Sequence, residues 1–352
     1  MHTDIHRRPL NRARFLAHLQ SLLACSLVIL QPLHAQQHVE AFAAASHAAP
    51  SDEAAVSADS SISLPPPIAR QSLTDAWWTG PILAASANTL PRGHILIEPY
   101  VYDVIGTHSS ELGSLTYALY GLTDKLTVGT VPTGGFNRVS DGLSSSTIEL
   151  GDVPVQAQYR LTQFHPGSWI PTSSINVSES FPTGQYDRLG NHPSDGLGSG
   201  AFTTTLASYS QMYLWLPNRR ILRTRFDVSE ALSSNVTVQD VSVYNTTAGF
   251  SGHASPGNSF FADSSWEYSV TRRWVVATDL TYRHTANTRV TGTNGTSSIT
   301  LNSGSSDAFG FAPAVEYSWK STIGIIFGTR VTPASHNTNA TITPVMAINF
   351  VH

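Results

Sequence analysis

From Gly93 to the end of the chain, hydrophobic residues recur at every second position. In the clearest segment, Phe309, Phe311 and Val315 alternate with small residues such as Gly310. Successive residues of a β-strand point to opposite faces, so one face of each segment is apolar and the other is small or polar. The pattern predicts a series of strands and little helix.

The alternation predicts twelve strands, separated by connections of two kinds. Tight turns such as residues 122–124 alternate with long connections at about residues 133–147, 183–200, 233–258 and 289–306, which are rich in Gly, Ser, Asn and Asp. Short turns on one rim and long loops on the other are typical of an up-and-down outer-membrane barrel. The strands are predicted at about residues 93–106, 112–121, 125–132, 148–163, 169–182, 201–216, 220–232, 259–270, 273–288, 307–318, 321–332 and 341–351.

A sheet of this kind must close if it spans a membrane. An open edge in hydrocarbon leaves backbone groups unpaired, at a cost of several kcal/mol each. A large soluble β-sandwich would also alternate, but the inward positions here are too polar for a dry core. We therefore expect an all-β protein, a transmembrane up-and-down antiparallel β-barrel of about 12 strands, over residues 93–352.

The composition favours a membrane barrel over a soluble protein. Charged residues make up 12% of the chain while hydrophobic residues make up 41%, against roughly 25% charged residues in typical soluble domains. The net charge is −4 and no basic patch stands out, so a nucleic-acid partner is not expected. We expect no cofactor and no metal site, because no catalytic, phosphate-binding or metal-binding motif occurs.

The first 35 residues match a secretory signal peptide. An apolar run at residues 15–30 is followed by Leu33-His34-Ala35, with cleavage expected after Ala35. An alternative interpretation is lipoprotein cleavage at Cys25, the only cysteine, although the apolar run continues beyond it. The basic residues before the run are Arg7, Arg8, Arg12 and Arg14.

Residues 36–92 are predicted to be a disordered periplasmic leader, because they are rich in Ala, Ser, His and Pro without sustained periodicity. Its last part, residues 75–92, contains Trp77 and Trp78 and is expected to be a short ordered lead-in packed against the barrel. The sequence leaves open whether this lead-in enters the barrel as a plug.

Eleven polar residues fall on the inward positions of the predicted strands. Arg223 and Arg225 lie on the seventh strand beside Asp263 and Glu267 on the eighth, so a cross-strand charge ladder is expected. Such residues either brace a narrow barrel or line a solute path and set its selectivity. The predicted lumen-lining set is Gln156, Gln158, Arg160, Arg223, Arg225, Asp227, Asp263, Glu267, Asp279, Arg283 and Glu316.

One histidine and a set of aromatic residues are the remaining candidates for a specific role. His284 lies on a predicted strand, and with Ser264 or Asp279 it raises the hypothesis of a barrel-embedded lipid hydrolase. The preferred interpretation is a histidine at the rim of the barrel without a catalytic role. No enzyme is therefore expected. Aromatic residues near the tight turns predict an interfacial aromatic belt. These are Trp169, Trp215, Trp266, Trp274, Trp319, Tyr213, Tyr268 and Tyr317.

Several short motifs resemble an outer-membrane transporter family named for the meta-pathway of phenol degradation. They are residues 120–129 (YGLTDKLTVG), 150–153 (LGDV), 158–161 (QYRL) and 181–184 (FPTG). The resemblance implies a barrel that admits hydrophobic or aromatic compounds, and it carries over no catalytic residue. One departure is the C-terminus, where Phe350 lies two places before the end although such barrels usually end in an aromatic residue.

The leading hypothesis is an outer-membrane channel for passive passage of small, hydrophobic or aromatic solutes in a Gram-negative-type bacterium. Its expected partners are outer-membrane lipid, the barrel assembly machinery and a small-molecule solute. One alternative is a plugged structural or adhesion barrel that acts through long extracellular loops. The second alternative is the lipid hydrolase.

Overall fold

A computed structural model describes residues 70–352. The predicted signal peptide, residues 1–35, and the leader as far as residue 69 lie outside the described residues. Within residues 70–352, no helix is long and apolar enough to cross a membrane. The two short 3-10 helices cover Leu73–Asp75 and Pro193–Asp195.

Eighteen strands make up the rest of the regular structure. They are β1 (Ile95–Ile105), β2 (Ser109–Thr123), β3 (Leu126–Thr130), β4 (Thr133–Val139), β5 (Glu149–Leu150), β6 (Val153–Thr162), β7 (Thr172–Phe181), β8 (Thr203–Trp215), β9 (Ile221–Ser233), β10 (Val236–Gln239), β11 (Phe250–Ser255), β12 (Ser259–Ser269), β13 (Trp274–Thr285), β14 (Arg289–Asn294), β15 (Ser297–Asn302), β16 (Ser306–Lys320), β17 (Ile323–Thr332) and β18 (Thr341–Val351).

Fourteen of these strands form one closed antiparallel barrel. The order runs β1-β18-β17-β16-β13-β12-β9-β8-β7-β6-β3-β2, and pairing of β1 with β2 closes the ring. β3 and β4 are two parts of one wall strand, because β2 pairs with both, and β5 with β6 forms another. The wall therefore has 12 strands, which confirms the predicted fold.

The alternation in the sequence corresponds to the two faces of the wall. Along β16, Phe309, Phe311 and Val315 are exposed, while Ala312 and Ala314 are buried inside the barrel. Large apolar side chains exposed all round the outer face form the surface that a bilayer covers. A one-residue shift in register would exchange the two faces, so the pattern fixes the register.

The two rims differ as predicted. Both ends of the wall lie at one rim, where the Ile95 N–H donates to the His352 carbonyl. The turns β2–β3, β8–β9, β12–β13 and β16–β17 lie at this rim, which we call the turn rim. The longer connections lie at the opposite loop rim. In outer-membrane barrels the turn rim faces the periplasm and the loop rim faces outside.

Part of the predicted loop region is ordered β-structure. β4 lies in the predicted loop 133–147, and β10, β11, β14 and β15 pair in a separate four-stranded sheet at the loop rim. This sheet packs its own apolar cluster, which includes Val238, Tyr244 and Phe250, against Leu189 of the loop 182–202. The loop prediction was wrong there because these strands are short and rich in Ser, Thr and Gly, which conceal the alternation.

The barrel interior is filled rather than empty. Its main apolar cluster joins Ile82, Leu83 and Leu90, which precede the first strand, to inward side chains such as Tyr100 and Tyr117. These two tyrosines are 0% exposed and their rings meet edge to face. The segment before β1 therefore belongs to the core of the barrel.

Candidate functional site in the barrel lumen

The structure places the predicted lumen-lining residues inside the barrel. Ten of them are at most 8% exposed: Gln156, Gln158, Arg223, Arg225, Asp227, Asp263, Glu267, Asp279, Arg283 and Glu316. Arg160 is half-buried near the turn rim, where the β6–β7 register shifts. That these residues line a solute path stays a prediction, because another part of the chain occupies the space between them.

Residues 76–90, which we call the plug segment, lie in the turn-rim half of the lumen. Every residue from 78 to 90 is buried. The segment enters beside the β12–β13 turn, where the Trp77 N–H donates to the Arg272 carbonyl at 2.8 Å. It leaves beside the β2–β3 turn, where the Thr89 hydroxyl donates to the Asp124 carbonyl at 2.7 Å. The lead-in thus crosses the lumen from one side to the other.

The residues just before the plug segment hold it at the turn rim. The Gln71 N–H donates to the Arg219 carbonyl at 3.1 Å in the β8–β9 turn. At the start of the helix Leu73–Asp75, the Ser72 hydroxyl and N–H donate to the Asp75 carboxylate at 2.7 and 3.2 Å. The hydroxyl bond is the main cause that keeps the pKa of Asp75 below its usual value.

Wall carboxylates accept the main-chain N–H groups of the plug segment. This segment lies outside the sheet, so its buried N–H groups need other acceptors. Each carboxyl oxygen has lone pairs that can accept such hydrogen bonds. The bonds run from Thr79 and Gly80 to Glu316, from Ile82 and Ala84 to Asp279, and from Ala85 to Asp227, with N···O distances of 2.5, 2.7, 3.1, 3.2 and 2.6 Å.

Wall side chains donate hydrogen bonds to three carbonyl groups of the plug segment. Arg225 Nη1 donates to the Ala84 carbonyl at 3.0 Å. Gln158 Nε2 donates to the Ser86 and Asn88 carbonyls at 2.8 and 3.3 Å. Five of the eleven polar residues predicted to face a solute therefore bind the plug segment.

A buried ion pair lies beside the plug segment on the wall. Glu267 of β12 accepts Arg223 Nε at 2.6 Å and Arg225 Nε at 3.0 Å. Both arginines and the glutamate are at most 2% exposed. Asp263, also predicted to join this ladder, lies opposite Asp227 in the register and makes no ion pair within residues 70–352. Two carboxylates face each other there because the two arginines are two residues apart and the two acids are four apart. An antiparallel register that pairs Arg223 with Glu267 therefore places Asp263 opposite Asp227.

Trp78 anchors the plug segment. Its side chain is 1% exposed, and the Arg223 guanidinium carbon lies 4.5 Å from its ring centroid. The contact joins the anchor directly to the buried ion pair. The apolar residues packed in its cluster are Ala76, Phe164, Tyr213, Ile221 and Val275.

The predicted aromatic belt is partly wrong. Trp274 and Trp319 are 48% and 47% exposed on the outer face, as expected. Tyr213, however, is 3% exposed inside the barrel, and Trp215 Nε1 donates to a carbonyl of the segment that enters the lumen. The sequence already indicated that these two residues point inward. Both are an even number of positions from Gln211, an inward residue of the same strand.

The inward charged residues Glu98 and Arg330 were among those that the sequence analysis missed. Glu98 of β1 is 0% exposed and accepts Asn349 Nδ2 at 3.3 Å. Arg330 of β17 shares the inward parity of Gly324 and Ile326. Alternation within each strand would have found both, but each stands alone among apolar or small neighbours.

Two of the family motifs meet at the loop rim. The Asp152 carboxylate accepts the Gly184 N–H at 3.0 Å, and it accepts the Ser199 N–H and hydroxyl at 2.8 and 2.6 Å. The Thr183 hydroxyl donates to the Gly151 carbonyl at 2.9 Å. Asp152, where β5 and β6 are interrupted, therefore holds the loop 182–202 against the wall.

Replacing Asp152 by alanine should release this loop while the barrel stays folded. The change leaves two N–H groups without their acceptor, each worth about 1–3 kcal/mol when buried. Arg188 is exposed within the loop, so trypsin should cleave after it roughly 10-fold faster in Asp152→Ala. The control is Asp141→Ala in the exposed neighbouring loop. Equal cleavage rates in the two variants would contradict the role of Asp152.

His284 lies at the loop rim on the outer face. Its Nδ1 lies 2.9 Å from Asp307 Oδ1, and the Tyr282 hydroxyl donates to the same carboxylate at 2.8 Å. No serine is among the hydrogen-bond partners of His284 in residues 70–352. Ser264 lies opposite Leu280 in the register, four residues away along β13. The arrangement that a lipid hydrolase requires is therefore not brought together at His284.

Comparisons with solved structures show the fold. An outer membrane channel from Pseudomonas putida F1 superimposes with a TM-score of 0.56 at 14% sequence identity, over 76% of this chain and 98% of that chain. The NanC porin matches with a TM-score of 0.42 at 10% identity, over 72% of this chain and 98% of that chain. The CymD monoaromatic hydrocarbon channel matches with a TM-score of 0.41 at 9% identity, over 74% of this chain and 88% of that chain.

A comparison with curated protein sequences found no match. A family model described as "Putative MetA-pathway of phenol degradation" matches residues 81–342. The match begins inside the plug segment and includes all the motifs that carried the resemblance, so that prediction is confirmed. The chain belongs to this family of phenol-degradation MetA-pathway proteins.

Proposed function

We propose that the protein is an outer-membrane channel for passive passage of small solutes, closed in the described state by the plug segment. The proposal includes export by the predicted signal peptide and insertion by the barrel assembly machinery. No catalytic step is proposed. Hydrophobic and aromatic compounds are the first solutes to test, because the family carries the name of an aromatic degradation pathway.

The observation that carries the proposal is the kind of bond between plug and wall. Glu316, Asp279 and Asp227 bind the main chain of the plug, and Arg225 and Gln158 bind its carbonyls. Water can replace each of these partners, so the wall stays satisfied when the plug leaves and the lumen fills with water. A polar wall and a non-covalent plug together suit a passage that opens.

The cost of the charged interior also favours a channel. Replacing buried ion pairs by well-packed apolar residues is often neutral or stabilising. A barrel with only a structural role would therefore gain nothing from burying Arg223, Arg225 and Glu267. These charges have a use when the lumen is hydrated, because they then act on a passing solute.

Deletion of the plug tests the proposal. Residues 76–90 are replaced by a Gly-Ser linker of equal length, and single-channel conductance is measured in planar bilayers beside the unchanged protein. We expect discrete openings to become frequent and larger in the deletion variant. Heat-modifiable migration on a gel is the control for a folded barrel.

The filled lumen favours a second candidate, a structural or surface barrel. Every residue from 78 to 90 is buried, and the four-stranded sheet at the loop rim offers an ordered surface. The same experiment separates the two. A folded deletion variant that stays electrically silent would exclude the channel and favour the structural role.

A further inference from the structure

A second polar cluster lies just beyond the plug segment, toward the loop rim. We call Phe261, Asp263, Thr281, Arg283 and Arg330 the mid-lumen site. The first four lie on β12 and β13, where Phe261 pairs with Arg283 and Asp263 pairs with Thr281. The next row toward the turn rim contains Asp279, which binds the plug. The plug segment therefore lies at the turn-rim side of this site.

Several polar atoms of the mid-lumen site lack a partner. Both carboxylate oxygens of Asp263 are buried without a hydrogen bond, and the residue is 1% exposed. Arg330 Nε and the Thr281 hydroxyl are also buried without a partner within the described residues. Native proteins rarely leave such groups unsatisfied, because each costs about 1–3 kcal/mol and more when charged. Acceptors and donors thus remain available side by side.

Phe261 gives the site an aromatic surface. The Arg283 guanidinium carbon lies 4.7 Å from the centroid of its ring, and Arg283 Nη1 donates to Ser259 Oγ at 3.3 Å. The guanidinium therefore packs over the ring. A planar aromatic ligand can pack against this pair of side chains.

Gly310 of β16 lets the polar groups pack directly against the wall. A Cβ atom at this position would lie 2.3 Å from the Thr281 hydroxyl oxygen and 3.1 Å from Arg330 Nε. Any other residue would push these two groups apart or cover them. The glycine lets Arg330 reach across the wall toward Thr281.

The mixture of charges selects the chemistry of the ligand. A simple cation would pair with Asp263, but Arg283 and Arg330 beside it would repel the cation. A simple anion would satisfy Arg330 but leave Asp263 unpaired. A ligand that carries an anionic group and a separate hydrogen-bond donor on one flat frame satisfies both.

We propose that the mid-lumen site binds a small aromatic acid that carries a ring hydroxyl. The hydroxyl donates to Asp263, the carboxylate accepts from Arg330 and Thr281, and the ring packs on Phe261. The inference rests on the proposed function, because the solute has to enter the lumen. It adds a class of solute to that function, the hydroxylated aromatic acids.

Calorimetric titration of the full-length protein in detergent tests the site with 4-hydroxybenzoate, benzoate and phenol. We expect 4-hydroxybenzoate to bind roughly 10-fold or more tightly than either analogue, because each analogue lacks one of the groups that form hydrogen bonds with the site. Asp263→Leu should lower the affinity for 4-hydroxybenzoate to that for benzoate and leave benzoate binding unchanged. Arg330→Met should lower it to that for phenol.

The control variant is Glu230→Gln, on the outer parity of β9, which should bind all three compounds as the unchanged protein does. Conductance of the plug-deletion variant is measured in parallel. Equal affinity for the three compounds, or no change in either lumen variant, overturns the site even if the barrel conducts. Selective binding in a barrel that never conducts supports the site and overturns the channel. Variants that no longer show heat-modifiable migration, and so do not fold, are replaced by Asp263→Asn and Arg330→Lys. For these we expect the affinities for the three compounds to change in the same direction by smaller factors.

Discussion

Replacing Glu267 by glutamine is expected to lower the free energy of unfolding by about 3–5 kcal/mol, because it leaves two buried arginines without their counter-charge. Glu267 binds both Arg223 and Arg225, and it is 0% exposed. The measurement is urea unfolding of the refolded barrel in lipid vesicles, followed by tryptophan fluorescence.

Two further variants define the cause of this loss. Glu230→Gln lies on the outer parity of the paired strand β9 and should change the unfolding free energy by less than about 0.5 kcal/mol. The double variant Arg223→Met, Glu267→Met should be more stable than Glu267→Gln. It leaves one buried arginine without a counter-charge, whereas Glu267→Gln leaves two. If Glu267→Gln has the same unfolding free energy as the control, water already reaches the two arginines. The description of a buried ion pair would then be wrong.

The fold was predictable because a barrel wall repeats one simple rule. Phe309 and Phe311 face outward and Asp279 and Glu316 face inward, as period-two alternation requires. Each strand obeys this rule independently of the others, so errors in one strand do not affect the next. The ion pair between Arg223 and Glu267 followed from the order of the strands, since their segments are neighbours in the wall.

The plug segment was not predictable in the same way. Its main chain bonds to side chains such as Glu316 and Asp279, which lie about 200 residues or more away in the sequence. It therefore needs no periodicity of its own, and its alanines and serines resemble those of a flexible leader. Trp77 and Trp78 indicated docking but not its place.

The contents of the lumen depended on contacts that alternation cannot give. Arg330 and Tyr213 both lie on inward positions, yet the sequence does not say that one reaches past Gly310 and the other packs near Trp78. Similarly, Asp152 lies in a family motif, but only the fold brings it to Ser199. Sequence pattern predicts which side of the wall a residue faces, and packing decides which partner it meets.

The buried charges tie the stability of the wall to the position of the plug. Arg225 binds Glu267 within the wall and also the Ala84 carbonyl of the plug. Arg223 binds the same glutamate and lies over the ring of Trp78. Loss of the plug therefore exposes the ion pair to water instead of breaking it, so the closed and open states can share one wall. The free energy of plug docking can therefore change without a change in the free energy of unfolding of the barrel.

Replacing Trp78 by alanine should open the channel without unfolding it. Loss of a fully buried tryptophan costs about 3–5 kcal/mol, and Trp78 is 1% exposed at the start of the plug. If this energy holds the plug in place, the ratio of open to closed channels rises by roughly two to four orders of magnitude. Single-channel recording in planar bilayers measures this ratio directly.

The adjacent Trp77 provides the matched control. It is half-buried at the turn rim, with Arg272 and Arg273 at 4.7 and 5.8 Å from its ring centroid. Such contacts contribute about 0.5–1 kcal/mol at an accessible site, so Trp77→Ala should raise the open fraction only about 2–5-fold. If the two variants open the channel equally, interfacial anchoring rather than docking inside the lumen holds the plug. If Trp78→Ala stays closed and folded, the hydrogen bonds to Glu316, Asp279 and Asp227 hold the plug without the tryptophan.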